Sequence, residues 1–211
     1  MCSITVIIPA YNEEKTIGDV IKAVKKVKLV DEIIVVSDGS IDKTVDIAKK
    51  HNVGILDLRD NIGKGGALNK GVNATQSEIL LFLDADLIGL SEQHIIDLLI
   101  PVVNGDVDMT IGVFSNGRLT TDLAQKVAPY LSGQRAIRRY LFESIPNIDI
   151  TRYGVEVALT KYVTINNIKT KEIILENLTH VMKEEKLGII KGFISRMKMY
   201  WDIVKVITSY R

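Results

Sequence analysis

Residues 79–83, Ile-Leu-Leu-Phe-Leu, are apolar without a break, and the run ends at two carboxylates one residue apart, Asp84 and Asp86. A strand that alternates polar and apolar side chains lines one face of a core, whereas an unbroken one has to be covered on both faces. That demands helices above and below a mostly parallel sheet. In such sheets ligands gather beyond the carboxyl ends of the strands, where Asp84-Ala85-Asp86 would stand. Hard divalent cations take oxygen ligands and share them with substrate phosphates, so the pair points to a seat for a metal–diphosphate complex. Asp-x-Asp pairs also occur in solvated loops, which keeps a loop reading open for this stretch taken alone.

The flanking segments predict the required framework. Residues 4–8 read as a strand ended by Pro9, and Asn12-Glu-Glu-Lys-Thr opens a helix with Ile17, Val20, Ile21, Val24 and Val27 at helical spacing. Residues 33–36 predict a second strand, followed by Ser37-Asp-Gly-Ser and a helix carrying Val45, Ile47 and Ala48. Residues 53–56 predict a third, and Asn61-Ile-Gly-Lys-Gly-Gly leads into a helix over 67–74. Ser91 caps the next helix, which reaches Ile100 and stops at Pro101. Strands alternating with helices in this way define an α/β fold, a Rossmann-like, doubly wound, mostly parallel sheet. Beyond Pro101 the pattern predicts a strand over 107–114, helical stretches over 121–128 and 134–143, a helix over 153–163, and a strand or two at the sheet edge over 168–178. Residues 1–187 would form one domain, with a helical extension over 188–211.

Composition excludes several classes. The net charge of +1 gives no electrostatic case for nucleic acid. Cys2 is the one cysteine, which rules out an internal disulfide and a cysteine metal cluster and makes a reducing cytoplasm the expected compartment. Residues 4–8 lack the basic flank and cleavage site of a signal peptide, and no uncharged run is long enough to span a bilayer.

Four segments would meet at one sheet edge. Pro9-Ala10-Tyr11-Asn12-Glu13-Glu14 sets an aromatic ring and an amide in a turn that can hold a base and ribose; alternatively Asn12 caps the helix, with acids favoured by its dipole. In Ser37-Asp38-Gly-Ser, Asp38 can accept from the imide of a uracil or form an ordinary Asx turn. The glycines of Asn61-Ile-Gly-Lys-Gly-Gly let backbone amides approach an anion, and Lys64 brings a charge to it. This is not a P-loop, and a dinucleotide fingerprint would follow the first strand rather than the third. Asp84-Ala85-Asp86 is the fourth.

In order and spacing these four segments resemble the GT-A glycosyltransferases of the family-2 type. The resemblance implies a nucleotide-sugar donor held by Pro9, Ala10, Tyr11, Asn12, Glu13, Asp38, Lys64, Asp84 and Ala85, with Asp86 as direct ligand of a Mg²⁺ or Mn²⁺ cofactor. In the second half, Asn116-Gly-Arg-Leu-Thr120, Leu131-Ser-Gly-Gln-Arg-Ala136, Tyr153-Gly-Val-Glu156 and His180 are similar to the glucosyl-3-phosphoglycerate synthases and their relatives. That similarity implies acceptor contacts from Gly117, Arg118, Leu119 and Thr120, the transferring glucose beside Tyr153 and a catalytic Glu156, and His180 as a second metal ligand. The implied reaction moves glucose from UDP-glucose, with retention, to a small anionic acceptor such as 3-phosphoglycerate. Each residue has a plainer reading: Arg118 as a solvated loop tip, His180 as an edge-strand surface residue. The synthases follow the late histidine with a basic residue and an asparagine, whereas this chain has Val181-Met182 and is much shorter. An inverting transferase acting on a polyprenyl phosphate or other lipid is the alternative.

From Gly188 onward, Ile190, Phe193, Ile194, Met197, Trp201, Val204 and Ile207 mark an apolar helical stripe, and Lys191, Ser195, Lys198, Asp202 and Lys205 mark another, largely basic face. Packing on the core or in a homodimer is the first expectation, and peripheral contact with the inner membrane face the second.

Overall fold

The computed structural model describes residues 2–114, 132–145 and 154–180. The strands are β1 (Ile4–Ala10), β2 (Glu32–Asp38), β3 (Gly54–Leu58), β4 (Ile79–Phe82), β5 (Leu87–Ile88), β6 (Met109–Phe114), β7 (Arg135–Arg138), β8 (Thr170–Leu175) and β9 (Thr179–His180). The helices are α1 (Ile17–Lys25), α2 (Thr44–Lys50), α3 (Lys64–Asn73), α4 (Glu92–Val103), α5 (Arg139–Glu143) and α6 (Val155–Ile165). Seven strands form one sheet in the order β3-β2-β1-β4-β7-β6-β8, and β5 and β9 pair separately. Every neighbouring pair in the large sheet is parallel except the two made by β7.

The sheet is covered on both faces, as the unbroken apolar run requires. Ile79, Leu81 and Leu83 join Ile4, Val6 and Ile8 in a core roofed by α1 (Ile17, Val20, Ile21, Val24) and α4 (Ile95, Leu98, Leu99, Val102). Leu80 and Phe82 point the other way with Ile7, into a core closed by α3 (Ala67, Leu68, Val72), α5 (Leu141, Phe142) and α6 (Val155, Ala158, Leu159). Neighbouring residues of β4 thus enter opposite cores, which the strand period of two dictates.

Several expected boundaries shift. Pro9 does not end β1; it lies inside the strand, in register with Val36. Pairing with β4 has stopped at Ile7, so the missing N–H of Pro9 has no ladder to interrupt on that side. α4 likewise runs two residues past Pro101: one helical N–H is missing there, and the bonding resumes with Asn104 N–H donating to the Ile100 carbonyl. Its start is as read: Ser91 Oγ accepts from the His94 N–H, and His94 Nδ1 accepts in return from the Ser91 N–H. The largest correction is at 134–143. Arg135–Arg138 is not helical but a strand in the middle of the sheet, and only Arg139–Glu143 forms a helix. Tertiary hydrogen bonds decide this, because the flanking arginines disguise the strand. Arg138 donates to the Val102 carbonyl, and Arg139 to the carbonyls of Ser77, Val72 and Thr75.

The expected helix over 121–128 and the extension over 188–211 lie outside the described residues. Among the described residues no helix is long and apolar enough to cross a membrane.

Candidate active site

The loops leaving β1 and β2 are joined by their own polar atoms. Asn12 N–H donates to Ser40 Oγ, Glu13 N–H to Thr44 Oγ1 and Glu14 N–H to Asp42 Oδ2; Ile41 N–H and Lys43 N–H return bonds to Asn12 Oδ1 and Glu14 Oε2. Asn12 is therefore not the cap of α1. It sits at φ 57°, a left-handed conformation that asparagine tolerates, and Thr16 occupies the cap position without a side-chain cap bond. Ala10 is buried at the end of β1, Pro9 and Glu13 are partly buried, and the Tyr11 ring is half exposed. Burial raises the Asp42 carboxyl, but hydrogen bonds from Thr44 and from the Glu14 N–H outweigh it and hold the group below its ordinary value.

Asp38 is the last residue of β2 and is buried, so the Asx-turn reading fails. Its two oxygens accept from the N–H groups of Ile62 and Gly63, at 2.7 and 2.9 Å. The glycine-rich loop is thereby hung from the end of the neighbouring strand. Gly63, at φ 87°, makes the reversal that starts α3 at Lys64.

Lys64 is the centre of the site. Its ammonium lies 2.5 Å from Asp84 Oδ1, just beyond β4, and 2.5 Å from Glu156 Oε1, in the first turn of α6. Burial would depress this lysine, but the charges of Asp84 and Glu156 prevail and raise its pKa above the ordinary value. The other oxygen of Asp84 accepts from Gln134 Nε2 at 2.9 Å, and Gln134 Oε1 accepts in turn from Ser132 Oγ. Gly133 leaves room for this cluster: a Cβ there would stand 2.7 and 2.8 Å from the Asp84 carboxylate oxygens. Ser132, Gln134 and the fully buried Arg135 had no assigned role in the sequence reading. The signals for them were the place of this segment in the second-half resemblance and its polar tetrapeptide, Ser-Gly-Gln-Arg, directly before apolar Ala136-Ile137.

Ala85 is buried and Asp86 partly buried beyond β4. The β5–β9 ladder sets the backbone of His180 opposite Leu87, the residue after Asp86. The two expected metal ligands thus come from adjoining backbone positions. Among the described residues no group of three or more Asp, Glu, His or Cys side chains is placed to hold an ion. A carboxylate and an imidazole suit Mg²⁺ or Mn²⁺ when diphosphate oxygens complete the shell, so the residues fit a metal carried with its substrate. Gly117, Arg118, Leu119, Thr120 and Tyr153 lie outside the described residues.

Comparison with known proteins follows this geometry. The chain is 30% identical over 216 residues to an uncharacterized protein of Methanocaldococcus jannaschii, covering 90% of this chain and 88% of that one. It is 31% identical over 194 residues to the glucosyl-3-phosphoglycerate synthase of Mycobacterium tuberculosis, covering 74% of this chain and 59% of that enzyme, so it spans about three fifths of the synthase's length. Over 99 residues it is 40% identical to the dolichyl-phosphate beta-glucosyltransferase of Drosophila melanogaster, covering 39% of this chain and 30% of that one. The crystal structure of the M. tuberculosis synthase with Mn²⁺, UDP-glucose and phosphoglyceric acid superposes with a TM-score of 0.76 at 27% identity, covering 97% of this chain and 79% of that one. Residues 5–160 match the family Glycosyl transferase family 2. With the family's strand-end acids standing at the edge of a GT-A sheet, the chain belongs to glycosyl transferase family 2 and is a glycosyltransferase.

Proposed function

We propose that this glycosyltransferase moves glucose from UDP-glucose, with retention, to a small hydroxylated anion such as 3-phosphoglycerate. The observation that carries the reading is Lys64, an ammonium held between Asp84 and Glu156 at the edge where the glycine-rich loop and β4 end. A glycosyl donor leaves as a nucleoside diphosphate, so the central task is to neutralise charge as the glycosidic bond opens. Lys64 answers that charge on the diphosphate, and Asp84, Ala85 and Glu13 line the donor. Tyr11, with Pro9, Ala10 and Asn12, takes the base and ribose, and Asp38, whose oxygens already hold the glycine-rich loop, offers the uracil imide a remaining lone pair. Mg²⁺ or Mn²⁺ held by Asp86 and His180 would supply Lewis-acid neutralisation of the leaving group. Glu156, buried in the first turn of α6, steadies positive character on the sugar beside Tyr153. Gly117, Arg118, Leu119 and Thr120 receive the acceptor, since a guanidinium fork suits phosphate and carboxylate. The solved synthase complex with UDP-glucose and phosphoglyceric acid supports this choice of donor and acceptor.

A thermal-shift screen of nucleotide sugars with and without Mn²⁺ tests donor and metal together, because a ligand that binds the native state raises Tm. UDP-glucose with Mn²⁺ should give the largest shift, and free UDP should appear once 3-phosphoglycerate is added. No shift with any uridine nucleotide would refute the donor. The similarity to the dolichyl-phosphate enzyme favours a second reading, inverting transfer to a polyprenyl phosphate or other lipid. The anomeric proton coupling of the product separates the two. In either case residues 1–187 form the catalytic domain and 188–211 an amphipathic appendage that meets a second subunit or a membrane surface. Light scattering and vesicle sedimentation of the chain with and without 188–211 decide between them.

A further inference from the structure

Arg135 is 1% exposed, among the largest fully buried side chains of the described residues, and the reaction as written does not use it. It stands on β7 next to Gln134, the residue that holds Asp84. Its guanidinium is fixed: Nε donates to the Ser132 carbonyl at 2.8 Å and Nη2 to Thr160 Oγ1 at 2.8 Å. Thr160 Oγ1 donates onward to the Glu156 carbonyl at 2.9 Å, so the arginine is tied to the turn of α6 that carries Glu156. Burial draws this guanidinium down to about 10, and the charge of Glu156 opposes that fall.

Lys64 bridges the carboxylates of Asp84 and Glu156, and Arg135 is the second cation, joined to the Glu156 turn through Thr160. The cations differ in freedom. Lys64 reaches the sheet edge on a flexible stem with a quarter of its side chain exposed. Arg135 is enclosed, and its planar fork is already satisfied at two corners. When Lys64 turns to a diphosphate, the buried Glu156 loses the ion pair it makes at 2.5 Å, and an unanswered buried carboxylate is unfavourable.

We propose that Arg135 is a positioning residue: anchored through Thr160 to the turn of α6 that carries Glu156, it keeps that carboxylate aimed, with an immovable positive charge beside its turn, once Lys64 has left it for the donor. The proposal rests on assigning Lys64 to the diphosphate and Glu156 to the sugar. Lys64 is the mobile countercharge and Arg135 the permanent one, so the site can take up an anionic donor without leaving Glu156 uncompensated.

Thermal melts of R135M, E156Q and R135M/E156Q, each with Lys64 present and again with K64M, read this pairing without substrate. R135M should lower Tm by roughly 5–10 °C, with E156Q cancelling at least about half of the loss and the coupling growing in the K64M background. Additive shifts in both backgrounds overturn the pairing, whatever reaction the enzyme catalyses. In turnover, R135M should lower kcat about a hundredfold while donor KM moves less than about threefold, and R135K should keep at least about a tenth of kcat. Equal losses in R135K and R135M, or a KM effect alone, would make Arg135 a packing residue. If R135M does not fold, Thr160→Val removes one anchor and leaves the charge; a kcat loss of about threefold or more at unchanged KM supports the proposal, and none overturns it. Failure of the wild type to release UDP from any uridine sugar would refute the assigned reaction, while the melts still decide the pairing.

Discussion

Lys64 and Glu156 meet at 2.5 Å, although one opens α3 behind the glycine-rich loop and the other lies in the first turn of α6, near the end of the stretch that matches the family. Their contact joins the glycine-rich loop at the start of α3 to the first turn of α6. Because Asp84 binds the same ammonium, removing Lys64 strands two carboxylates. K64M should lose about 1–3 kcal/mol in urea melts, less than a fully enclosed pair because the lysine is partly exposed. Its pKa is raised on folding, so the contribution is fully present below the unfolded value of 10.5 and fades only as pH climbs through the higher folded one. The gap between K64M and wild type should therefore stay level from about pH 7 to 9 as far as Lys64 itself is concerned. A gap that closes within that window would contradict the ion pairing.

Asp86 and His180 reach neighbouring positions through the β5–β9 ladder. D86N should abolish the extra thermal stabilisation that Mn²⁺ adds to UDP, and H180A should weaken it about tenfold in apparent metal affinity. Titration of Mn²⁺ against UDP-loaded protein measures both. An unaltered response in D86N would remove the metal from this corner.

Gly133 presses against Asp84 so closely that a methyl group has no room, with 2.7 Å to Oδ2 and 2.8 Å to Oδ1. Gly133→Ala would press first on the Lys64 ammonium and then on this carboxylate, so it should displace the pair and cut kcat/KM by about tenfold to a hundredfold, with Tm lowered by only a few degrees. Steady-state kinetics beside a melt would show it. Full activity would mean that the position of Asp84 is not critical.

Asp38 satisfies two backbone N–H groups of the glycine-rich loop. Asp38→Ala leaves the buried Gly63 N–H and the partly buried Ile62 N–H without that acceptor and should cost about 1–3 kcal/mol. Hydrogen exchange at Ile62 and Gly63 should accelerate well before the core opens. Unchanged protection at those two amides would show that the carboxylate is not what holds the loop.

Asp42 joins the β1 and β2 loops, and its carboxyl is held below its ordinary value. A depressed carboxyl stabilises above the unfolded pKa of 3.8 and loses that contribution as pH falls through the folded value. The Tm difference between wild type and Asp42→Ala should therefore be constant above about pH 5 and shrink below about pH 4. A difference that grows in acid would reverse the assignment.

Much of this architecture is legible in residue order. Contiguous apolar residues such as Ile79–Leu83 demand cover on both faces, helical spacing from Ile17 to Val24 provides it, and Asp84-Ala85-Asp86 falls at the strand exit because a parallel sheet places it there. Ser91 declared its cap locally, and the structure agrees. Those features depend on neighbours a few residues away, so the chain alone determined them. Arg135–Arg138 could not be read as a central strand, because its partners β4 and β6 and the carbonyls that receive its arginines come from distant parts of the chain. For the same reason Asn12 looked like a helix cap until the β2 loop supplied Ile41 as its donor. The Lys64–Asp84–Glu156 cluster, and Arg135 behind it, were decided by tertiary structure alone. Charges buried together select one another by distance and dielectric, and neither quantity is written in residue order.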